Sequence, residues 1–202
     1  MAKKRKSTDK TRASRDGHEF HENWAARKAL QLLWPQDSFV GLTLEGLHPA
    51  DQKTAASEVV EIADVTLYFG RRPTFKGSDK VVIVQLKYSV SDATAPFRHC
   101  HAKKTISKFA KAYKYHKKEH GTKAANKKLA FELVTNRPIY PALTQAVQFI
   151  AEGKPATGDV KKQADQFIGT CGFSGKELAD FAKKVSFSGL SGSLSDNKRN
   201  LS

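Results

Sequence analysis

Two neighbouring segments rich in β-branched and aromatic residues constrain the fold of this chain most. The first is Val59 to Phe69 (VVEIADVTLYF) and the second is Lys80 to Tyr88 (KVVIVQLKY). This composition favours β-strands, and the GRRPTFKGSD between them has the Gly and Pro residues typical of a turn. Apolar residues occupy both parities of each segment, as expected of strands covered on both faces. The sequence therefore predicts a hairpin of two buried strands.

The other periodic segments surround this hairpin with helices and further strands. The spacing of apolar residues from Gly17 to Pro35 predicts a first helix, and Phe39 to Glu45 predicts a short strand. Pro96 opens a long helix whose apolar stripe includes Ile106 and Tyr113. The remaining predictions are a strand at Leu129 to Thr135 and helices at Ala142 to Ala151, Val160 to Ile168 and Glu177 to Val185. This order predicts an α/β fold with a mixed β-sheet flanked by helices and a C-terminal helical extension.

Length and composition indicate an ordinary globular chain. Its 202 residues are enough for one domain or two small ones, and no apolar run approaches the roughly 20 residues that span a membrane. The basic start has no apolar segment typical of a secretory signal. The only cysteines, Cys100 and Cys171, fit a reducing compartment better than a disulfide framework. We therefore expect a cytoplasmic protein that does not bind membranes.

The positive charge is concentrated in two segments. The net charge is +15, of which residues 1–15 carry +6 and residues 98–128 carry +10. A nearly neutral body with two basic segments favours a polyanionic partner, and nucleic acid above all. Lysines predominate over arginines, which suits contacts with phosphates better than bidentate reading of bases.

The same composition suggests how the domain is bounded. Residues 1–15 lack apolar periodicity and are predicted to be a disordered basic arm. The core is predicted at 16–138, with 139–189 as the helical part of the same domain. The Ser- and Gly-rich residues 190–202 are typical of a linker, so we expect the natural chain to continue into a C-terminal region.

Polar side chains interrupt the two buried strands. Gln85 and Lys87 are two residues apart and project from one face of a strand, and a hairpin places Asp64 beside them. Burial of such groups costs free energy unless they pair or bind a metal. A carboxylate and an amide oxygen can ligate a hard cation such as Mg²⁺, while a lysine orients or deprotonates a water. This combination is the outline of a site for phosphodiester hydrolysis.

At these residues the sequence resembles the PD-(D/E)xK nuclease superfamily. Asp64 stands at the acid of the motif, and Gln85-Leu86-Lys87 stands in place of (D/E)xK as its QxK variant. The resemblance is nearest to Mrr-like nuclease domains at the N-termini of bacterial antiphage proteins, including NTPase-linked and CBASS effectors. GHEFHENWAARKALQLL is similar to the first helix of the family, and LAFELVTNRPIYP to its fourth core strand and following turn. The likeness covers about residues 16–190.

The resemblance implies a restriction-endonuclease-like fold and a metal-dependent endonuclease. Mg²⁺ is the implied cofactor, with Mn²⁺ able to substitute, and double-stranded DNA cut with little sequence specificity is the implied substrate. Asp64, Gln85 and the carbonyl of Leu86 would ligate the metal. Lys87 would position the attacking water or stabilise the transition state. Because uncontrolled cutting endangers the host genome, we expect a homo-oligomer controlled through the C-terminal region.

A residue of the first helix should complete this site. We favour Glu22 as a catalytic residue and metal ligand, because it shares a helical stripe with Ala26 and Leu33 that we expect to face the sheet. His21 occupies the position where relatives carry an acid or amide. The same role is open to Glu19, His21, Glu45 and Glu61.

The long helix is the predicted nucleic-acid-binding surface. Its lysines are Lys103, Lys104, Lys108, Lys111, Lys114, Lys117 and Lys118. Two other functions remain open: a nucleic-acid-binding module without catalysis, and a basic ribonucleoprotein component. The sequence by itself does not separate DNA from RNA. Zinc at the histidines of this helix is disfavoured, because a second cysteine at finger spacing is missing.

Overall fold

The computed structural model describes residues 2–34, 38–52 and 63–190, with side chains from Arg15 onward. The helices are α1 (Ala2–Leu30), α2 (Pro49–Gln52), α3 (His99–His120), α4 (Thr122–Lys128), α5 (Pro141–Glu152), α6 (Gly158–Cys171) and α7 (Gly175–Ala182). The strands are β1 (Phe39–Leu44), β2 (Val65–Gly70), β3 (Ser78–Lys87), β4 (Leu129–Thr135) and β5 (Val185–Ser188).

The five strands form one mixed sheet in the order β1-β2-β3-β4-β5. The first three are antiparallel neighbours, and Val65 pairs with Val84 in the predicted hairpin. A parallel neighbour needs a crossover connection, and α3 and α4 make it between β3 and β4. Strand β5 then adds parallel to β4. The predicted α/β class and the mixed sheet flanked by helices are confirmed.

The sheet separates two apolar cores. On one face, α1 buries Phe20 and Trp24 in a cluster with the even-numbered Val82, Val84 and Leu86 of β3. On the other face, α3 covers the odd-numbered residues of β3, and α6 packs against α3. Because side chains alternate along a strand, Gln85 and Lys87 belong to the row of Val81 and Ile83 on the α3 side.

The N-terminal arm differs from its prediction. Helix α1 begins at Ala2, so the basic segment that we predicted to be disordered is helical over 2–15. Lys, Arg and Ala favour helices, and no Gly or Pro occurs before Gly17. A helix already nucleated by packing at Phe20 and Trp24 can therefore propagate through this segment.

The hairpin and the C-terminal part also differ in detail. Asp64 lies directly before β2 rather than inside it, and Val59 to Ile62 lie outside the described residues. The C-terminal helices are present, but the last of them ends at Ala182, and β5 occupies part of the segment that we predicted as helix and domain end. Four residues carry too little periodicity to predict a strand, whereas pairing with β4 defines it. Residues 191–202, the predicted linker, lie outside the described ranges.

Candidate active site at the end of the sheet

The hairpin brings Asp64 against the QLK segment. Because β2 and β3 are antiparallel, the start of β2 lies beside the end of β3. The backbone N–H of Asp64 donates to the carbonyl of Val84 at 3.0 Å, and the N–H of Leu86 donates to Asp64 Oδ2 at 2.7 Å. The first hydrogen bond fixes the backbone of Asp64 against β3, and the second holds its carboxylate at the backbone of the QLK segment.

Gln85 presents a buried oxygen that finds no partner in the described part of the chain. Its side chain is 4% exposed, and its Oε1 accepts no hydrogen bond from the residues that the structure describes. An unpaired buried acceptor costs about 1–3 kcal/mol. A metal ion or another ligand bound at this oxygen would remove that cost.

Lys87 is a half-buried ammonium at the end of β3. Burial lowers its pKa, the negative charge of Asp64 acts in the opposite direction, and the charges of Lys108 and Lys104 lower it again. The lowered pKa makes Lys87 a better proton donor than an ordinary lysine. Lys104 and Lys108 both belong to α3, so the charge of this helix acts on the end of β3.

Helix α1 contributes His21 rather than Glu22. His21 Nε2 lies 3.9 Å from Asp64 Oδ2, and the backbone of Leu86 acts to raise the pKa of this histidine. Burial lowers the pKa of His21, while the charge of Asp64 raises it. The neutral form of His21 is therefore favoured. Its ring reaches the carboxylate of Asp64 from the α1 side of the sheet.

The preference for Glu22 rested on a helical stripe that the structure places elsewhere. Glu22 and Ala26 are exposed, and Leu33 is 65% exposed, so this stripe faces away from the sheet. The stripe that packs on the sheet contains Phe20 and Trp24, and His21 flanks it. The signal that could have found His21 was the aromatic pair spaced i, i+4, which the structure buries.

Three further glutamates considered for the metal site are less closely placed. Glu19 is half-buried on α1, and Glu61 lies outside the described residues. Glu45 follows β1, and its N–H donates to the carbonyl of Asp64 at 2.8 Å, but its side chain is exposed. Its φ of 51° turns the chain out of the strand at that point.

The donors at this site fit a hard cation in part. The carboxylate of Asp64 and the unpartnered oxygen of Gln85 are the oxygen ligands that Mg²⁺ prefers. The backbone N–H of Leu86 is occupied by its hydrogen bond to Asp64 Oδ2. Within the described part of the chain, no group of three or more His, Cys, Asp or Glu side chains is arranged to hold a metal ion. Among the described residues, Asp64 is thus the one carboxylate placed with Gln85 to hold a cation.

Helix α3 divides its lysines into two kinds. Six of them are exposed: Lys103, Lys104, Lys108, Lys111, Lys114 and Lys118. Lys117 is half-buried, with its Nζ 2.5 Å from Glu177 Oε1 on α7. The exposed lysines thus form the basic surface, and Lys117 joins two helices.

Comparison with known proteins adds no relative. No family model matches the chain, and no curated protein is similar to it. Among the helices that the structure describes, none combines the length and the apolar character needed to cross a membrane.

Proposed function

We propose that this chain is a metal-dependent endonuclease domain that hydrolyses phosphodiester bonds of DNA. The observation that carries the proposal is the buried oxygen of Gln85, which has no partner among the described residues, near the carboxylate of Asp64 and the half-buried Lys87. Burying an amide oxygen, an acid and a lysine at one end of a sheet costs folding free energy. The same three groups can serve as a catalytic site.

The fold supports the same proposal. The order of helix, three antiparallel strands, crossover helix and parallel strand agrees with the mixed sheet that the resemblance to PD-(D/E)xK nucleases implies. In this proposal Asp64 and Gln85 correspond to the metal-binding positions of the motif, and Lys87 to its lysine. The roles of the residues follow from that correspondence and from their contacts.

The chain's own groups prepare the reaction. A divalent cation, when bound by Asp64 and Gln85, supplies Lewis acidity and lowers the pKa of a water. Lys87 stands next to Asp64 and stabilises the negative charge that develops on the phosphoryl oxygens. His21 contacts Asp64 and the backbone of Leu86, so it holds the two ligand-bearing segments together.

The lysines of α3 define the proposed substrate surface. The charges of Lys104 and Lys108 lower the pKa of Lys87. The other exposed lysines extend the positive charge along the helix. Such a surface binds phosphates without reading bases, which supports cutting with little sequence specificity. We further propose a cytoplasmic antiphage effector that acts as a homo-oligomer.

The test compares two lysines of the same strand. Supercoiled plasmid is incubated with the protein and Mg²⁺, Mn²⁺ or EDTA. We expect metal-dependent nicking that Lys87→Ala abolishes, because the variant lacks the ammonium beside the reacting phosphate. Lys80→Ala removes the same charge from the exposed start of β3 and should cut like the wild type. Undiminished cutting by Lys87→Ala would exclude the proposed site.

A second candidate function is nucleic-acid binding without catalysis. The observation that favours it is the single carboxylate at the site among the described residues. It predicts plasmid that is retarded but intact in every lane, and no effect of divalent metal on binding. In that case Asp64→Ala should change stability alone.

A further inference from the structure

The pairing between β3 and β4 ends at Lys87. The parallel register runs from Val81 with Leu129 to Lys87 with Thr135, and Lys87 is the last residue of β3. The end of a strand frays more readily than its middle, because its peptide groups have fewer partners. The position of the Lys87 side chain therefore depends on what holds the chain directly after it.

Asn136 holds the chain at that point with two hydrogen bonds. The N–H of Ser89 donates to Asn136 Oδ1 at 3.0 Å, and Asn136 Nδ2 donates to the carbonyl of Ser89 at 2.8 Å. The carboxamide thus offers one acceptor and one donor to a single residue, as the backbone of a neighbouring strand does. Because Asn136 directly follows Thr135, its side chain continues the pairing of the two strands beyond Lys87.

Arg137 fixes the other end of the same loop. Its Nε donates to the carbonyl of Ala95 at 2.8 Å, and its Nη2 donates to the carbonyl of Pro96 at 3.0 Å. Helix α3 begins at His99, directly after this segment. The two residues that follow β4 therefore attach both ends of the loop that connects the candidate site to the lysine-bearing helix.

We infer, on the basis of the proposed function, that Asn136 is a positioning residue that holds the Lys87 ammonium at the candidate site by extending the β3–β4 pairing through its side chain. Without the two hydrogen bonds, the chain after Lys87 is free to leave β4, and the lysine gains exposure to water. Burial lowers the pKa of Lys87 in the folded protein. Release of the strand end therefore raises this pKa towards its ordinary value.

The titration of Lys87 tests this role without catalysis. Labelling with a small amount of acetic anhydride at a series of pH values, followed by mass spectrometry, gives the pKa of individual lysines. We expect the labelling midpoint of Lys87 to rise by about half a pH unit or more in Asn136→Ala. The midpoint of the exposed Lys80 at the other end of β3 should stay unchanged.

Asn126→Ala is the matched control. Asn126 also makes two side-chain hydrogen bonds: it accepts from the hydroxyl of Tyr113, and its Nδ2 donates to Asp180 Oδ2 at 3.0 Å. Its removal costs similar contacts between α3, α4 and α7, away from Lys87, and should leave the titration of Lys87 unchanged. Thermal unfolding measures the stability of both variants.

Single-turnover cleavage separates positioning from substrate binding. Asn136→Ala keeps every lysine of α3, so the protein concentration that gives half of the maximal rate should stay within about twofold of the wild type. The maximal rate should fall by at least about tenfold, because Lys87 is no longer held in place. Asn126→Ala should change neither quantity. If the wild type does not cut, the proposed function fails, whereas the titration still decides whether Asn136 holds Lys87.

Hydrogen exchange in the wild type provides a test that needs no variant. Ser89 lies beyond the end of β3, so the protection of its N–H reports the bond to Asn136. We expect exchange at least about tenfold slower than in a free peptide. An unprotected Ser89 amide, or an unchanged Lys87 midpoint in Asn136→Ala, would overturn the inference. An equal shift in Asn126→Ala would do so too, because any loss of packing would then release Lys87.

Discussion

His21 is the side chain through which α1 reaches the candidate site. Its ring contacts Asp64 and the backbone of Leu86, whereas the neighbouring Glu22 is exposed. We predict that His21→Ala lowers the cleavage rate by at least about tenfold, because losing the contact lets the carboxylate and the QLK backbone move. Glu22→Ala should stay within about twofold of the wild type. Single-turnover cleavage rates measure both.

A conservative variant separates positioning from stability. His21→Gln keeps a hydrogen-bonding side chain and should restore part of the rate that His21→Ala loses, while thermal unfolding reports the stability of all three variants. Full activity in His21→Ala together with its loss in Glu22→Ala would return the role to Glu22.

The difference between His21 and Glu22 shows where sequence reasoning ends. The placement of Asp64, Gln85 and Lys87 at one end of the sheet was predictable, because polar residues in apolar strands are conspicuous and strand spacing fixes their face. The rotation of α1 was not, because its apolar residues surround much of the helix. Leu33 and Trp34 belong to the apolar spacing from Gly17 to Pro35 that predicts this helix, yet they are 65% and 72% exposed. Packing against β3 selects the face with Phe20 and Trp24.

At the scale of the element, α3 combines a core helix with a basic surface. Its buried stripe includes Ile106, Phe109 and Tyr113, as the spacing predicted. Lys104 to Lys118 span about 21 Å along the axis, which corresponds to about six base pairs of duplex. The helix is therefore long enough to follow a nucleic-acid backbone away from the site.

The near end of this helix should matter most for binding at the site. Each phosphate contact contributes about −0.9 to the slope of log affinity against log salt. We predict that replacing Lys104 and Lys108 together by Gln reduces this slope by about 2 and lowers DNA affinity. Replacing Lys123 and Lys127 of α4 by Gln removes the same charge elsewhere and should change the slope less. Equal effects of both pairs would argue for a diffuse electrostatic field instead of a phosphate track.

Strand β5 is an element that the sequence pattern did not predict. Only Lys183 and Lys184 separate the VSFS segment from α7, and no Gly, Pro or Asn marks the turn that they form. Its strand conformation comes from partners far away in sequence, including the N–H of Phe131, which donates to the carbonyl of Lys184 at 2.7 Å. Long-range pairing of this kind leaves little local pattern to read.

At the scale of the whole molecule, the sheet places the candidate site where its two cores meet. Helix α1 brings His21 from one face, and α3 brings Lys104 and Lys108 from the other. The other end of α3 carries a different feature. His116 is 1% exposed, stacks on Phe75 with ring centroids 4.8 Å apart, and has no hydrogen-bond partner at either ring nitrogen among the described residues.

Burial of this histidine makes stability depend on pH. Desolvation lowers the pKa of His116 from 6.5 to about 3, and the neighbouring His120 acts in the same direction. Between these two pH values, His116 binds a proton in the unfolded chain but not in the folded chain. The free energy of unfolding is therefore highest above pH 6.5 and decreases as the pH falls towards 3. His116 alone accounts for a loss of about 3 kcal/mol between pH 7 and pH 4.

Removing the ring should remove this dependence. In urea unfolding at the two pH values, we expect His116→Leu to lose about 3 kcal/mol less stability than the wild type on acidification, since the variant has no proton to exclude. Other groups that titrate in this range are common to both proteins and cancel in the comparison. His120→Leu should remove a smaller part, because the His120 ring is partly exposed and solvent screens its charge. An unchanged pH dependence in His116→Leu would show that His116 accepts a proton inside the folded protein, which requires a polar partner for its ring.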